Sequence, residues 1–125
     1  MFELTVVSHF EAAHCLPGYP GKCARLHGHN WTIEVCVGSE TLNELGMVID
    51  FKVLKRHVAN VTDKLDHHYL NELAEWQLKL PTAEHIAQYI YRELQKSLSA
   101  EMPGIRLLHV KTWESASSAV LYREG

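Results

Sequence analysis

Residues 26–39, LHGHNWTIEVCVGS, decide how this chain is read. From Trp31 onward apolar and polar side chains alternate. Trp31, Ile33, Val35 and Val37 fall on one face, and Thr32, Glu34 and Cys36 on the other. A period of two marks a half-buried β-strand. His27 and His29 stand at the head of this strand. Residues i and i+2 share a face, so their imidazoles sit side by side with Gly28 between them.

Working outward, residues 2–13 (FELTVVSHFEAA) are rich in β-branched and aromatic types and read as a strand. The stretch between the two, CLPGYPGKCAR, holds two prolines and two glycines and reads as a loop. Beyond ETLNELGM, which turns the chain, VIDFKVLKRHVANVTDKL carries Val53, Leu54, Val58, Val61 and Leu65 at helical spacing. Asp50 is placed to cap that helix. DHHYLNELAEWQLKL reads as a mostly irregular connection. PTAEHIAQYIYRELQKSLSAEM is the clearest helix, opened by Pro81 or Thr82 and ended by Pro103-Gly104. Ile86, Ala87, Ile90 and Leu94 form its apolar face. IRLLHVKTWES and SAVLYREG read as two closing strands joined by a turn around Ser115–Ser118. The order ββααββ predicts an α+β fold, with both helices on one face of an antiparallel sheet.

The chain of 125 residues fits one domain, residues 1–125. Its 46% hydrophobic and 22% charged residues are an ordinary globular balance. A net charge of −3 gives no basic footprint for nucleic acid. No apolar run is long enough to span a membrane, and the first residues do not read as a secretory leader. Cys15, Cys23 and Cys36 are too few for a disulfide framework and suit reduced thiols in a cytoplasm. The oddity is nine histidines.

Their grouping points to chemistry. The predicted hairpin brings His14, at the end of the first strand, toward His27 and His29. Three histidines and an open fourth position are the donor set of a catalytic zinc. H-x-H alone also fits two strand histidines without metal. Cys23, between Lys22 and Arg25, can be a fourth metal ligand, which would close the site. It can also be a base beside a metal, with a thiolate favoured by nearby cations. A third option is the nucleophile of a metal-free hydrolase using His67 and Asp66. Cys36 fits a small buried hydrophobe. Asp66-His67 pairs a carboxylate with an imidazole, the parts of an oriented proton shuttle, although a capping aspartate and an exposed histidine fit as well. Glu114, before a turn of small residues, can accept paired N–H donors from a heterocycle or sit in solvent.

Taken in order, FEAAH, C-x-x-x-H-G-H-N, IDF…LK, LDHHYLN, PTAE and a glutamate before a terminal YR resemble the 6-pyruvoyl-tetrahydropterin synthase/QueD family across essentially the whole chain. The resemblance implies the tunnelling fold, in which ββααββ subunits join through their sheets into a barrel. It implies a homohexamer built as a dimer of trimers, with sites at subunit interfaces. It implies Zn2+ on His14, His27 and His29, Cys23 as catalytic base, Asp66 and His67 as its partner pair, and Glu114 as anchor of a pterin ring. Thr82, in PTAE, is implied as a substrate contact, and Lys22 and Arg25 are placed to attract a triphosphate. Cys23 lies four residues before His27, the spacing of the QueD branch. That branch acts on 7,8-dihydroneopterin triphosphate in queuosine formation. Leu80 and His85 stand where the family often has asparagine, and TWES where a KET-like string is common.

Overall fold

The computed structural model describes residues 1–77 and 79–125. β1 (Phe2–His14) and β2 (His27–Ser39) form a long antiparallel ladder from Phe2↔Ser39 to His14↔His27. Alternation sends Val6, Phe10, Ala12 and His14 of β1 to the same side as Val35, Trp31, His29 and His27 of β2. β-branched and aromatic side chains on this face favour the strand, because they fill a pleated, half-buried surface.

α1 (Phe51–Thr62) starts at Asp50, whose carboxylate accepts the Lys52 N–H at 2.7 Å. Capping of this kind satisfies a donor that the first helical turn leaves orphaned. β3 is a two-residue strand, His68–Tyr69. α2 (Ala83–Glu101) starts at Thr82, whose hydroxyl accepts the His85 N–H at 3.1 Å. Thr82, not Pro81, is therefore the cap. β4 (Arg106–Ser115) and β5 (Ser118–Tyr122) close the sheet as a hairpin.

The sheet order is β3-β1-β2-β4-β5. Both helices cover one face. Ile86, Ile90, Leu94 and Leu98 of α2 and Leu54 and Val58 of α1 are fully buried in one cluster with Phe10, Trp31, Ile33, Val35 and Val110. Each such side chain contributes roughly 1.5–3 kcal/mol by leaving water. The α+β plan and the helices on one face are as expected. The connection expected to be irregular differs in detail: His68 and Tyr69 pair in parallel with Ala12 and Ala13, and two short 3-10 turns follow. Among the described residues no helix is long and apolar enough to cross a membrane.

Candidate functional site

Three imidazoles meet where the β1–β2 ladder ends. His14 is fully buried and its ring centroid lies 4.5 Å from that of His27 and 5.1 Å from that of His29. The ring of Trp31 lies beneath, 5.3 Å from both His14 and His29, and stacks on Phe10. Backbone carbonyls orient two of the rings. His14 Nδ1 donates to Pro81 O and His27 Nδ1 donates to Arg25 O, each at 2.7 Å. A carbonyl only accepts, so Nδ1 carries the hydrogen and Nε2 keeps its lone pair. Nε2 of His14, His27 and His29 is buried without a hydrogen-bond partner.

Three converging, desolvated Nε2 atoms, two of them on rings fixed through the other nitrogen, fit a metal ion, and imidazole donors suit zinc. Burial is also the leading cause that lowers the pKa of His14 and of His29. Neutral imidazole is the ligating form.

Glu114 reaches this cluster from the end of β4. One ligand atom from each of His14, His27, His29 and Glu114 can be chosen so that all lie within 4.8 Å of one another. Glu114 Oε1 is 3.3 Å from His29 Nε2. Burial lowers the pKa of His29, while the Glu114 charge works against that shift. The carboxylate beside the histidines is thus that of Glu114. Cys23 is absent from the group, and lies part-buried in a 3-10 turn, Lys22–Ala24, whose carbonyl at Cys23 accepts the Leu16 N–H at 2.8 Å. Lys22 and Arg25 are exposed on either side of it. Thr82 spends its hydroxyl on the α2 cap, and His85 Nδ1 donates to Leu80 O at 2.7 Å, tightening the same turn.

The other expected pair is joined directly. Asp66 Oδ2 is 2.9 Å from His67 Nδ1. His67 has a positive φ of 58°, rare for a residue with a Cβ. That conformation turns the chain out of α1 and lays the pair against β1. The Glu11 N–H and the His67 ring hold the Asp66 carboxyl below its ordinary range. Hydrogen bonding to Asp66, and then its charge, raises His67. An open cleft of about 560 Å³ is lined by His67, Tyr69, Glu11, Gly28, His29 and Asn30. Of the pair only His67 lines this cleft, and of the histidine cluster only His29. Cys23 does not line it.

Three residues here escaped the sequence reading. Glu11 touches the Asp66–His67 pair. Tyr69 OH is 3.1 Å from Cys15 Sγ. Asn71 clamps the Cys15 backbone, its Oδ1 accepting the Cys15 N–H and its Nδ2 donating to the Cys15 carbonyl, both at 3.0 Å. This clamp fixes the strand end next to His14. Cys36 is a buried strand residue, as expected, and burial is the main cause that raises its thiol pKa.

A mixed sheet backed by two helices, with a strand-borne histidine trio and an adjoining carboxylate–imidazole pair, defines a narrow class. The chain belongs to the 6-pyruvoyl tetrahydropterin synthase family, whose sequence pattern matches residues 3–125. Within it, the chain is 44% identical to the 6-carboxy-5,6,7,8-tetrahydropterin synthase of Synechocystis sp. over 90% of this chain and 86% of the relative. It is 32% identical to the Bacillus subtilis protein of the same name, over 98% of this chain and 85% of the relative. The 6-pyruvoyl tetrahydropterin synthase of Caenorhabditis elegans superposes with a TM-score of 0.87 at 27% identity, covering 99% of this chain and 96% of that one.

Proposed function

We propose that this chain is a zinc-dependent carbon–carbon lyase, a 6-carboxy-5,6,7,8-tetrahydropterin synthase. Its reaction converts 7,8-dihydroneopterin triphosphate to 6-carboxy-5,6,7,8-tetrahydropterin, acetaldehyde and triphosphate, a step toward queuosine. The observation that carries this reading is the trio of buried, converging Nε2 atoms on His14, His27 and His29. The names of the relatives support the choice of product.

His14, His27 and His29 would hold the zinc, which when bound supplies a Lewis acid for the substrate's side-chain hydroxyls. Cys23 acts as base at the carbon next to the ring. His67, oriented by Asp66, supplies or receives the matching proton. Glu114 accepts the paired N–H donors of the pterin edge and so fixes one pose. Lys22 and Arg25 attract the triphosphate by charge, and Thr82 adds a substrate contact. In the proposed homohexamer, a dimer of trimers, residues of neighbouring subunits complete the site. β1 supports such an assembly. Among the described residues its outer edge is paired only at Ala12 and Ala13, which leaves a strand edge for a second copy.

The deciding experiment incubates zinc-loaded protein with 7,8-dihydroneopterin triphosphate and identifies the products. Carboxytetrahydropterin with acetaldehyde is expected. Formation of 6-pyruvoyl-tetrahydropterin instead would move the chain to the sister reaction. Full turnover in the presence of a strong chelator would overturn the zinc requirement.

A further inference from the structure

Glu11 has no part in the scheme above, yet it meets the Asp66–His67 pair at three points. Its backbone N–H donates to Asp66 Oδ1 at 2.9 Å. Its backbone carbonyl accepts the His67 N–H at 2.5 Å. Its side-chain Oε2 lies 3.4 Å from His67 Nε2, while Asp66 Oδ2 lies 2.9 Å from His67 Nδ1. Each nitrogen of one imidazole therefore faces a carboxylate, and the two carboxylates come from different elements.

A neutral imidazole has one N–H and one lone pair. If Nδ1–H is committed to Asp66, a neutral ring turns its Nε2 lone pair toward the Glu11 carboxylate, and the contact is repulsive. An imidazolium has an N–H for each carboxylate, and both contacts become charge-assisted hydrogen bonds. Two flanking carboxylates thus select the acid form of the ring. We propose that Glu11 is a positioning residue for His67, completing an Asp66–His67–Glu11 triad that keeps a transferable proton on Nε2 at the mouth of the cleft.

The proposal rests on the function given above for the direction of transfer. One proton leaves His67 Nε2 for the substrate, the ring becomes neutral, and the Glu11 contact loses its attraction. One proton returns from water through the exposed Glu11 carboxylate, so the ring is reset with no net change in the protein. Asp66 orients the ring throughout, and Glu11 governs only the outer nitrogen. Among the described residues, Asp66 and Glu11 touch the His67 ring, and the other titratable groups that line its cleft are His68, Tyr69 and His29. Of these, only Asp66 and Glu11 carry negative charge at neutral pH. In keeping with this, His67 is raised chiefly by Asp66 and in smaller part by the Glu11 charge.

Glu11→Gln tests this, since it removes the charge and keeps the shape and both backbone contacts. His67 is titrated by NMR in zinc-loaded protein without substrate, and pH profiles of kcat and KM are taken on the same sample. The expected result is a downward shift of the His67 titration in Glu11→Gln. A basic limb of kcat displaced to lower pH goes with it, kcat down roughly ten-fold, less than the roughly 10²–10⁴-fold that losing the acid–base group itself would cost, and KM nearly unchanged. Glu11→Asp restores part of both shifts. An unchanged His67 titration in Glu11→Gln, with native melting temperature and zinc content, overturns the proposal. The titration needs no substrate. Failure of the wild-type chain to act on the pterin triphosphate would therefore remove the proposed function and leave the Glu11 result standing.

Discussion

His14 and His27 are direct cross-strand partners on the last rung of the β1–β2 ladder, with ring centroids 4.5 Å apart. Their Nδ1 atoms are tied to two different carbonyls, those of Pro81 and Arg25. The strand pairing sets the spacing of the rings, and the flanking loops set their rotation. Neither half suffices alone, since an imidazole at the right place with the wrong nitrogen inward is no ligand.

His27→Ala removes one of three inward nitrogens. Zinc affinity is expected to fall by more than about 100-fold, beyond the effect of losing an outer partner of a ligand. Zinc content after dialysis against a weak chelator measures this. One equivalent of zinc retained by the variant would refute the three-histidine site.

Cys23→Ala separates a base from a ligand. Because Cys23 lies outside the ligand cluster, the variant is expected to keep its zinc while turnover falls by roughly 10²–10⁴-fold, the usual worth of acid–base help. Loss of zinc together with activity would instead make Cys23 a fourth ligand of a structural module.

The Asp66–His67 pair predicts a pH window. The folded pKa of His67 is raised, so its stabilising contribution is complete below the ordinary histidine value and fades as pH rises through the raised one. The folded pKa of Asp66 is lowered, so its contribution is complete above the ordinary carboxylate value and fades as pH falls through the lowered one. The pair is thus intact across mildly acidic and neutral pH. Asp66→Asn should return His67 toward an ordinary titration and pull the basic limb of activity to lower pH. A pH profile that does not move contradicts the pairing.

Thr82 carries a structural load that can be weighed separately. Thr82→Ala removes the acceptor for the His85 N–H and should destabilise the fold by about 1 kcal/mol, read in urea unfolding. Thr82→Ser keeps the hydroxyl and should keep nearly all of that stability. Equal losses in both variants would show that the methyl group, not the cap, matters.

Period-two and helical spacing made β1, β2, α1, α2 and the closing hairpin legible, and the H-x-H stretch placed two imidazoles on one face. Such signals are local, and they recur within a few residues. β3 left no such signal, because two residues cannot show a period, and His68 and Tyr69 pair with β1 only through the turn at His67. Glu114 was legible as a carboxylate before a turn. Its approach to His29 was not, because that depends on how β4 aligns with β2, where Trp113 pairs with Thr32. Glu11 was hidden for a similar reason. On β1 it points away from the His14 face, and only the parallel neighbour makes it part of a site.

The unbroken β1–β2 register divides the molecule into a part that resists insertion and a part that accepts it. Deleting one residue within either strand would turn every following side chain to the opposite face and scatter the imidazoles. Lengthening the connection between His14 and His27 leaves the rung intact and merely relocates Cys23. Loop closure adds little cost for an extra residue or two. Insertions or deletions in that one loop therefore move Cys23 relative to the histidine rung, while the hairpin that carries His14, His27 and His29 keeps its register.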